Sequence, residues 1–409
     1  MTKLDINFIR QQFPAFSDPN LQGWAFFENA GGSYPCTQVV DRLTTFYNET
    51  KVQPYGPYPA SMRAGAAMDE AYTAFAGYLN VDEDEIHFGP STSQNTYVLA
   101  HAFRPLWQAG DEIIVTNQDH EANSGAWRRL AEFGIVVKEW RIDPETGELN
   151  PADLDELLTD KTKLLTFPHC SNVVGHINPV REIAAKAHAA GAVVVVDGVA
   201  GAPHGFPDMQ TFGADIYLFS LYKTFGPHLG LMVVRKPLLA QLVNQGHYFN
   251  AGYPHKKLTP AGPDHAQVAA AAGVAYYFDA LYDHHFGDGA PAAERNRRLH
   301  ELFRAREQAL VEPLLGWLSE RDDLRLIGPR DAAVHAPTVA VVPQHKPAHF
   351  IARELAEHKI MANSGDFYAV RVLEGMGIPL DPGVLRMSFV HYTTEAEVAQ
   401  LMEALDAVL

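Results

Sequence analysis

A lysine just past one apolar run and an aspartate at the end of another carry the clearest chemistry in this sequence. In Ile216-Tyr-Leu-Phe-Ser-Leu-Tyr-Lys223-Thr-Phe-Gly-Pro-His-Leu-Gly230 the lysine stands between a strand-like stretch and a glycine-proline turn, and Val193-Val-Val-Val-Asp197 ends a β-branched run on a carboxylate. Tyr222 and Phe225 crowd Lys223, and desolvation lowers an amine's pKa, which frees the neutral nucleophile for imine formation. Asp197, after four valines, is partly desolvated unless a cation meets it. An amine ready to form an imine and a carboxylate able to keep a pyridine nitrogen protonated are the two charges that pyridoxal phosphate chemistry needs from a protein. Taken singly, each residue also has a plain role, the lysine on the surface and the aspartate as a helix N-cap.

Three more strand ends carry polar groups of the right kind. Gly89-Pro-Ser-Thr-Ser-Gln-Asn-Thr96 follows the apolar Ile86-His-Phe88 and opens a helix, so Ser91, Thr92 and Ser93 with the helix N-terminus form a phosphate cup, or a simple cap. His120, after Ile114-Val115, could lie flat on an aromatic ring, although the chain has 19 histidines. Asn172, in Pro168-His-Cys-Ser-Asn172-Val-Val-Gly175, could hydrogen-bond a phenolic oxygen or serve its own turn. The five signals fall in one order at successive strand ends, where an open parallel sheet binds its ligands.

The elements that must hold these residues are legible as alternating runs. Segments 112–116, 135–140, 163–167 and 192–196 read as strands, with helices over 121–133, 153–158 and 180–190 between them. Near-continuous apolar strands separated by helices imply a mostly parallel sheet covered on both faces. The run 231–234 follows Lys223 too closely for a helical crossover and is expected to pair antiparallel. From about Gln267 the pattern turns to long helices, including 292–311, then to short strands at 338–342 and 385–389 and a closing helix over 395–409, which is a smaller α+β unit. No internal repeat or low-complexity tract is present.

At 409 residues, 47% hydrophobic and 20% charged, the chain suits one large domain plus a smaller one, or two of similar size. A net charge of −17 with no Lys/Arg run argues against nucleic-acid binding. The N-terminus has no apolar signal core and no stretch is long enough to span a membrane, so the expected location is cytoplasmic, with no membrane partner. Two cysteines, Cys36 and Cys170, form neither a disulfide framework nor a metal site.

With these residues in view, the chain resembles the class V aminotransferase family of fold-type I pyridoxal phosphate enzymes, in its cysteine desulfurase-like branch. The resemblance rests on Phe26-Phe-Glu-Asn-Ala-Gly-Gly-Ser33, Asp119-His-Glu-Ala-Asn123, Ser171-Asn-Val-Val-Gly175, Val196-Asp-Gly198, Phe219-Ser-Leu-Tyr-Lys-Thr-Phe-Gly-Pro227 and Arg386-Met-Ser-Phe-Val-His-Tyr-Thr-Thr-Glu-Ala-Glu-Val398. It implies an α/β fold with a large domain over 21–284, built on a mostly parallel seven-stranded sheet, and a smaller α+β domain from 1–20 and 285–409. It implies pyridoxal 5'-phosphate joined to Lys223 as a Schiff base, His120 stacked on the ring, Asp197 on the pyridine nitrogen and Asn172 on the ring hydroxyl. Ser91, Thr92, Ser93, Ser220 and Tyr222 would hold the phosphate. Arg386 would take the substrate carboxylate, with Asn29 also at the substrate, in a homodimer whose sites lie at the subunit interface; Phe367 and Tyr368, by their loop position alone, would suit a substrate side chain with some apolar bulk.

The sequence also departs from the family. Where desulfurases carry a nucleophilic cysteine before an alanine, this chain reads Asn363-Ser-Gly-Asp-Phe-Tyr-Ala369, and Cys170 is expected on the cofactor strand rather than on a loop. Ala200 replaces the usual glutamine or histidine, and Lys257-Leu-Thr-Pro-Ala-Gly-Pro-Asp264 only loosely follows the phosphate clamp of the partner subunit. The expected function is therefore a β-eliminating C–S lyase acting on a cysteine-type amino acid through a Cα carbanion. Aminotransferase or epimerase activity and a non-catalytic pyridoxal phosphate holder are the alternatives; a nucleotide-phosphate binder lacks the required glycine spacing.

Overall fold

Alternate residues of each central strand enter two different cores. Val194, Val196, Leu165 and Phe167 pack into one apolar cluster, while Val195, Leu164, Ile113 and Val115 pack into another on the opposite side. That is the consequence of a period-2 strand buried on both faces, and it is why the valine run carries no polar alternation.

The computed structural model describes residues 3–409. Its largest sheet has seven strands, in the order Ile86–Gly89, Gly230–Val234, Ile216–Ser220, Val193–Asp197, Thr162–Pro168, Glu112–Thr116 and Val136–Trp140. The pairings are parallel except at Gly230–Val234, which runs antiparallel to both neighbours, as the short connection after Lys223 requires. Asp197 is paired in register with Leu218 and with Pro168, so Lys223, Asp197 and Asn172 leave neighbouring strands at the same edge.

A second sheet has the order Asn363–Gly365, Val384–Ser388, Thr338–Pro343 and Leu324–Ile327, all antiparallel. Arg386 lies on its second strand, opposite Ala340 and Asn363. The N-terminal segment reaches this unit too: Ala25–Phe26 pairs parallel with Ile360–Met361, and Glu28 bridges to Ser388. Residues 25–29 therefore run beside the Arg386 strand.

Several elements differ from the sequence expectation. The helix expected over 292–311 runs Ala292–Ser319 with Pro313 inside it. Leu314, Leu315 and Leu318 are buried in the core of the second sheet, and their burial outweighs the roughly 3 kcal/mol that an interior proline costs. The segment 121–133 is α-helical only over Glu121–Arg128 and tightens to a 3-10 turn over Arg129–Phe133. The helices Thr37–Glu49 and Pro59–Leu79 had no counterpart in the sequence expectation; both pack on the buried, alanine-rich helix His265–His285.

Candidate active site

Nine residues singled out in the sequence line one cavity of about 90 Å³ at the strand ends. Ser91, Thr92 and Ser93 form one wall, His120 and Asn172 lie in another, and Asp197, Ser220, Tyr222 and Lys223 complete it. Asn29, Phe367, Tyr368 and Arg386 are not part of that lining; Asn29 lines a small adjoining cleft that also touches Lys223.

The phosphate-cup segment is shaped by close backbone approach. Ser91 is the N-cap of Thr92–Phe103, and its hydroxyl accepts the Gln94 N–H at 3.2 Å. The N–H groups of Thr92 and Ser93 have no partner among the described residues, which leaves two first-turn donors at the positive end of the helix. The Thr92 and Ser220 hydroxyls are 2.8 Å apart, tying this turn to the Lys223 strand. A Cβ at Gly230 would stand 2.4 Å from the Ser91 carbonyl carbon, so only glycine lets the two segments touch. Tyr222 stacks on His228 with ring centroids 4.5 Å apart, and His228 also lines the cavity.

Asp197 and Lys223 are both costly in this setting. Asp197 is 5% exposed, and the Val199 N–H is its one donor among the described residues, at 2.8 Å to Oδ1. Burial pushes its carboxyl up to about 6, against the Val199 hydrogen bond and the Lys223 charge. Burial, aided by the Arg386 charge, brings Lys223 down to about 8, while Asp197 and Glu28 oppose the shift. The Lys223 backbone is pinned by the Ser33 hydroxyl, which donates to its carbonyl. Asp119, fully enclosed beside Thr116 and Asn123, is pushed up to about 7 by burial and, less, by the Asp197 charge.

His120 caps the next helix through Nδ1, which accepts the Ala122 N–H at 3.0 Å, so the ring proton sits on Nε2. Burial, with the charges of Lys223 and Arg386, holds its pKa down at about 3, so the ring is neutral at any working pH.

Arg386 is 2% exposed and ties three segments together. It donates from Nη2 to Glu28 Oε1 at 2.8 Å and from Nη1 to the Asn172 carbonyl at 3.2 Å, and the Phe367 ring covers its guanidinium at 3.7 Å. Phe367 and Tyr368 sit at φ 52° and 57°, left-handed conformations that cost aromatic residues roughly 1–3 kcal/mol each. Their carbonyls hold the loop in place, accepting from Asn172 Nδ2 at 3.0 Å and from the Glu121 N–H at 2.9 Å. Tyr368 is 72% exposed and reaches toward His120, ring centroids 5.4 Å apart. The Asn29 amide donates to the Ser388 carbonyl and accepts from the Tyr392 hydroxyl, so it braces the Arg386 strand.

The thiols are closed off. Cys170 lies beyond the strand Thr162–Pro168, in an isolated bridge with Ile177, rather than on the strand as the sequence suggested. Its Sγ is 3.6 Å from the Ser171 and Gly175 carbonyls, and burial pushes it up to about 12, as it does Cys36.

These features fit pyridoxal phosphate. Asp197 Oδ2 and the Lys223 amine have no hydrogen-bond partner among the described residues, two helix-terminal donors face an anion site, and a flat neutral imidazole stands beside them. Sequence reasoning missed Glu28 and His228. Glu28 adjoins Asn29 in a motif already picked out, but its contact with Arg386 depends on strand pairing that spacing does not reveal; His228, after Gly226-Pro227, could have been suspected from its place in the lysine turn.

The model of the aminotransferase class-V family matches residues 25–261 and 297–401. The chain is similar to the aminotransferase-like protein FGM3 of Gibberella zeae, 35% identical over 420 residues that cover 100% of this chain and 99% of that protein. It is also similar to the cysteine desulfurase-like protein ustD of Aspergillus flavus, 30% identical over 436 residues covering 99% and 91%. Among solved structures it shares its fold with an apo cysteine desulfurase from Thermococcus onnurineus NA1, with 23% identity, a TM-score of 0.85 and coverage of 100% and 99%.

Proposed function

The chain belongs to the aminotransferase class-V family of pyridoxal phosphate enzymes, and on that premise we propose that it is a β-eliminating C–S lyase acting on a cysteine-type amino acid. The observation that carries this reading is the Lys223 amine, buried at the strand ends beside Asp197 and held near pKa 8 by burial and the Arg386 charge.

When bound, pyridoxal phosphate supplies an electron-poor ring that draws off the electron pair left at the substrate's Cα. Lys223 is the amine that would hold the cofactor through its aldehyde and, when free, would serve as the base for the substrate's α-proton. With a pKa near 8, about a quarter of this amine is neutral at pH 7.5, against well under 1% for an ordinary lysine. Asp197 presents its free oxygen to the ring nitrogen and keeps it protonated, and Asn172 meets the ring hydroxyl. His120 stacks a neutral ring, which adds no charge to repel the cofactor's own. Ser91, Thr92, Ser93, Ser220 and Tyr222 take the phosphate, and Arg386 takes the α-carboxylate. With a leaving group at Cβ this arrangement would support elimination; without one, return of the proton from Lys223 would support transamination or epimerisation.

Direct persulfide chemistry at an enzyme thiol is disfavoured by the chain's own cysteines, since both are buried with their thiols held protonated near 12. The exposed Tyr47, Tyr55, Tyr58, Tyr248, Phe249 and Tyr253 support a homodimer. Two unpaired cysteines suit a reducing, cytoplasmic setting. Among the described residues no helix is long and apolar enough to cross a membrane.

The test is to titrate the yellow holoprotein with amino acids while assaying pyruvate, ammonia and sulfide. Pyruvate and sulfide in equal amounts from cysteine support elimination; a keto acid that keeps its sulfur identifies a transaminase. No spectral response to any amino acid would leave a cofactor holder. Borohydride labelling should mark Lys223, and an unlabelled peptide there would refute the site.

A further inference from the structure

The guanidinium assigned to the substrate already carries a carboxylate. Glu28 Oε1 lies 2.8 Å from Arg386 Nη2, with the two side chains 23% and 3% exposed. The pair is incomplete: Glu28 Oε2 and Arg386 Nε are both buried without a partner. A full carboxylate–guanidinium fork makes two parallel hydrogen bonds, whereas this one makes a single bond and leaves donors on Arg386 unused.

The surroundings shape where a second carboxylate could come. Phe367 covers the guanidinium face at 3.7 Å, so an incoming ligand meets Arg386 at its edge, where the donors and Glu28 lie. Glu28 is seated in a slot that the missing side chain of Gly31 leaves open, because a Cβ at Gly31 would stand 2.5 Å from its Oε1. Its backbone is fixed by the bridge to Ser388 and by the Gly31 N–H, which donates to its carbonyl at 2.9 Å, so the side chain is what can yield. Without any carboxylate partner, Arg386 would be a lone buried cation, the most costly state of such a pair.

We propose that Glu28 is a specificity-determining residue that stands in for the substrate carboxylate on Arg386 and is displaced when a ligand carboxylate arrives. The inference rests on Arg386 as the carboxylate clamp. Two carboxylates sharing one guanidinium at about 5 Å repel each other enough to weaken ligand binding about tenfold to hundredfold. Glu28 thus holds the empty clamp together and lowers the affinity of any ligand that brings its own carboxylate, while ligands without one are unaffected.

The experiment compares the holoprotein with its Glu28→Gln variant, which keeps the shape and removes the charge. Followed by the visible band of the bound cofactor, L-alanine should bind the variant at least about tenfold more tightly, while L-alaninamide binds both proteins alike. An unchanged or weakened L-alanine affinity in the variant would overturn the proposal, because Glu28 would then only brace Arg386. A second measurement stands apart from amino-acid chemistry: propionate should raise the melting temperature of Glu28→Gln more than that of the parent. If L-alanine binds neither protein, the amino-acid reading fails on its own, and the propionate comparison still decides this one; equal propionate shifts sink it.

Discussion

Replacing Asp197 by asparagine should make the cofactor-free protein more stable and the cofactor less tightly held. In the empty cavity the carboxyl sits at about 6 against an ordinary 3.8, a difference worth about 3 kcal/mol against the ionised form. The sign follows from the proton count. The folded state holds a proton on Asp197 that the unfolded chain has released between pH 3.8 and 6, so stability falls as pH rises through that window and the full cost is present above it. Asparagine keeps the hydrogen bond from the Val199 N–H and carries no charge, so the variant escapes the cost. With an unfolding entropy near 2 cal/mol/K per residue, 409 residues convert about 3 kcal/mol into a rise of about 4 °C. Differential scanning of cofactor-stripped protein should show that rise at pH 8 and none at pH 3.5. Pyridoxal phosphate should bind the variant up to about a hundredfold more weakly, through loss of the partner of the ring nitrogen. A variant that melts with or below its parent at pH 8, or gains equally at pH 3.5, would refute the account of Asp197 as a charge waiting for a cation.

Three other outcomes follow from the same geometry. Five buried imidazoles, His87, His120, His169, His335 and His391, are held down at about 3 to 4, so the unfolded chain gains protons there below about 6.5 that the folded one refuses. Asp119 and Asp197 act in the opposite sense but are two against five, so stability should fall on acidification by about 4 kcal/mol per pH unit near pH 5, and a flat melting temperature from pH 7 to 4.5 would contradict this. In the cofactor-free protein Lys223 should be modified by an amine-specific reagent with a midpoint near pH 8, read by peptide mapping; a midpoint near 10.5 would show that the amine is solvated. Alanine at both Phe367 and Tyr368 should weaken bulky amino acids selectively and strip about 1 kcal/mol of ring-to-cation attraction from Arg386, whereas equal loss for every amino acid would count against a side-chain role.

What the sequence could reveal was local and what it could not was tertiary. The valine run before Asp197, the short turn from Lys223 to Gly230 and the serine cap at Ser91 each state their own geometry, because strand period, loop length and capping act over a few residues. From these the parallel sheet, its one antiparallel strand and the nine cavity residues could be anticipated. The end of the long helix could not, since Pro313 argues for a stop and only the burial of Leu314, Leu315 and Leu318 overrules it. Nor could Glu28 on Arg386, whose sequence separation is bridged by two backbone pairings, Ala25–Phe26 with Ile360–Met361 and Glu28 with Ser388.

The missed contact belongs to the same physical problem as the anticipated ones. Lys223 and Arg386 are two buried cations, both held down by burial and Lys223 also by the Arg386 charge, and Asp197 and Glu28 are the acids set against them. Neither acid completes its partner: Asp197 leaves Oδ2 open and Glu28 leaves Oε2 dry. A cavity built for stability alone would close those bonds or replace the charges with apolar side chains of similar volume, which is often neutral or better for a buried pair. Here the unmet valences lie on groups near the strand ends, beside a loop held in strained left-handed backbone at Phe367 and Tyr368. A zwitterionic ligand with an amine and a carboxylate, joined to a cofactor that carries a ring cation, would satisfy these buried charges together. The energy withheld from folding at this place is what such a ligand would recover on binding.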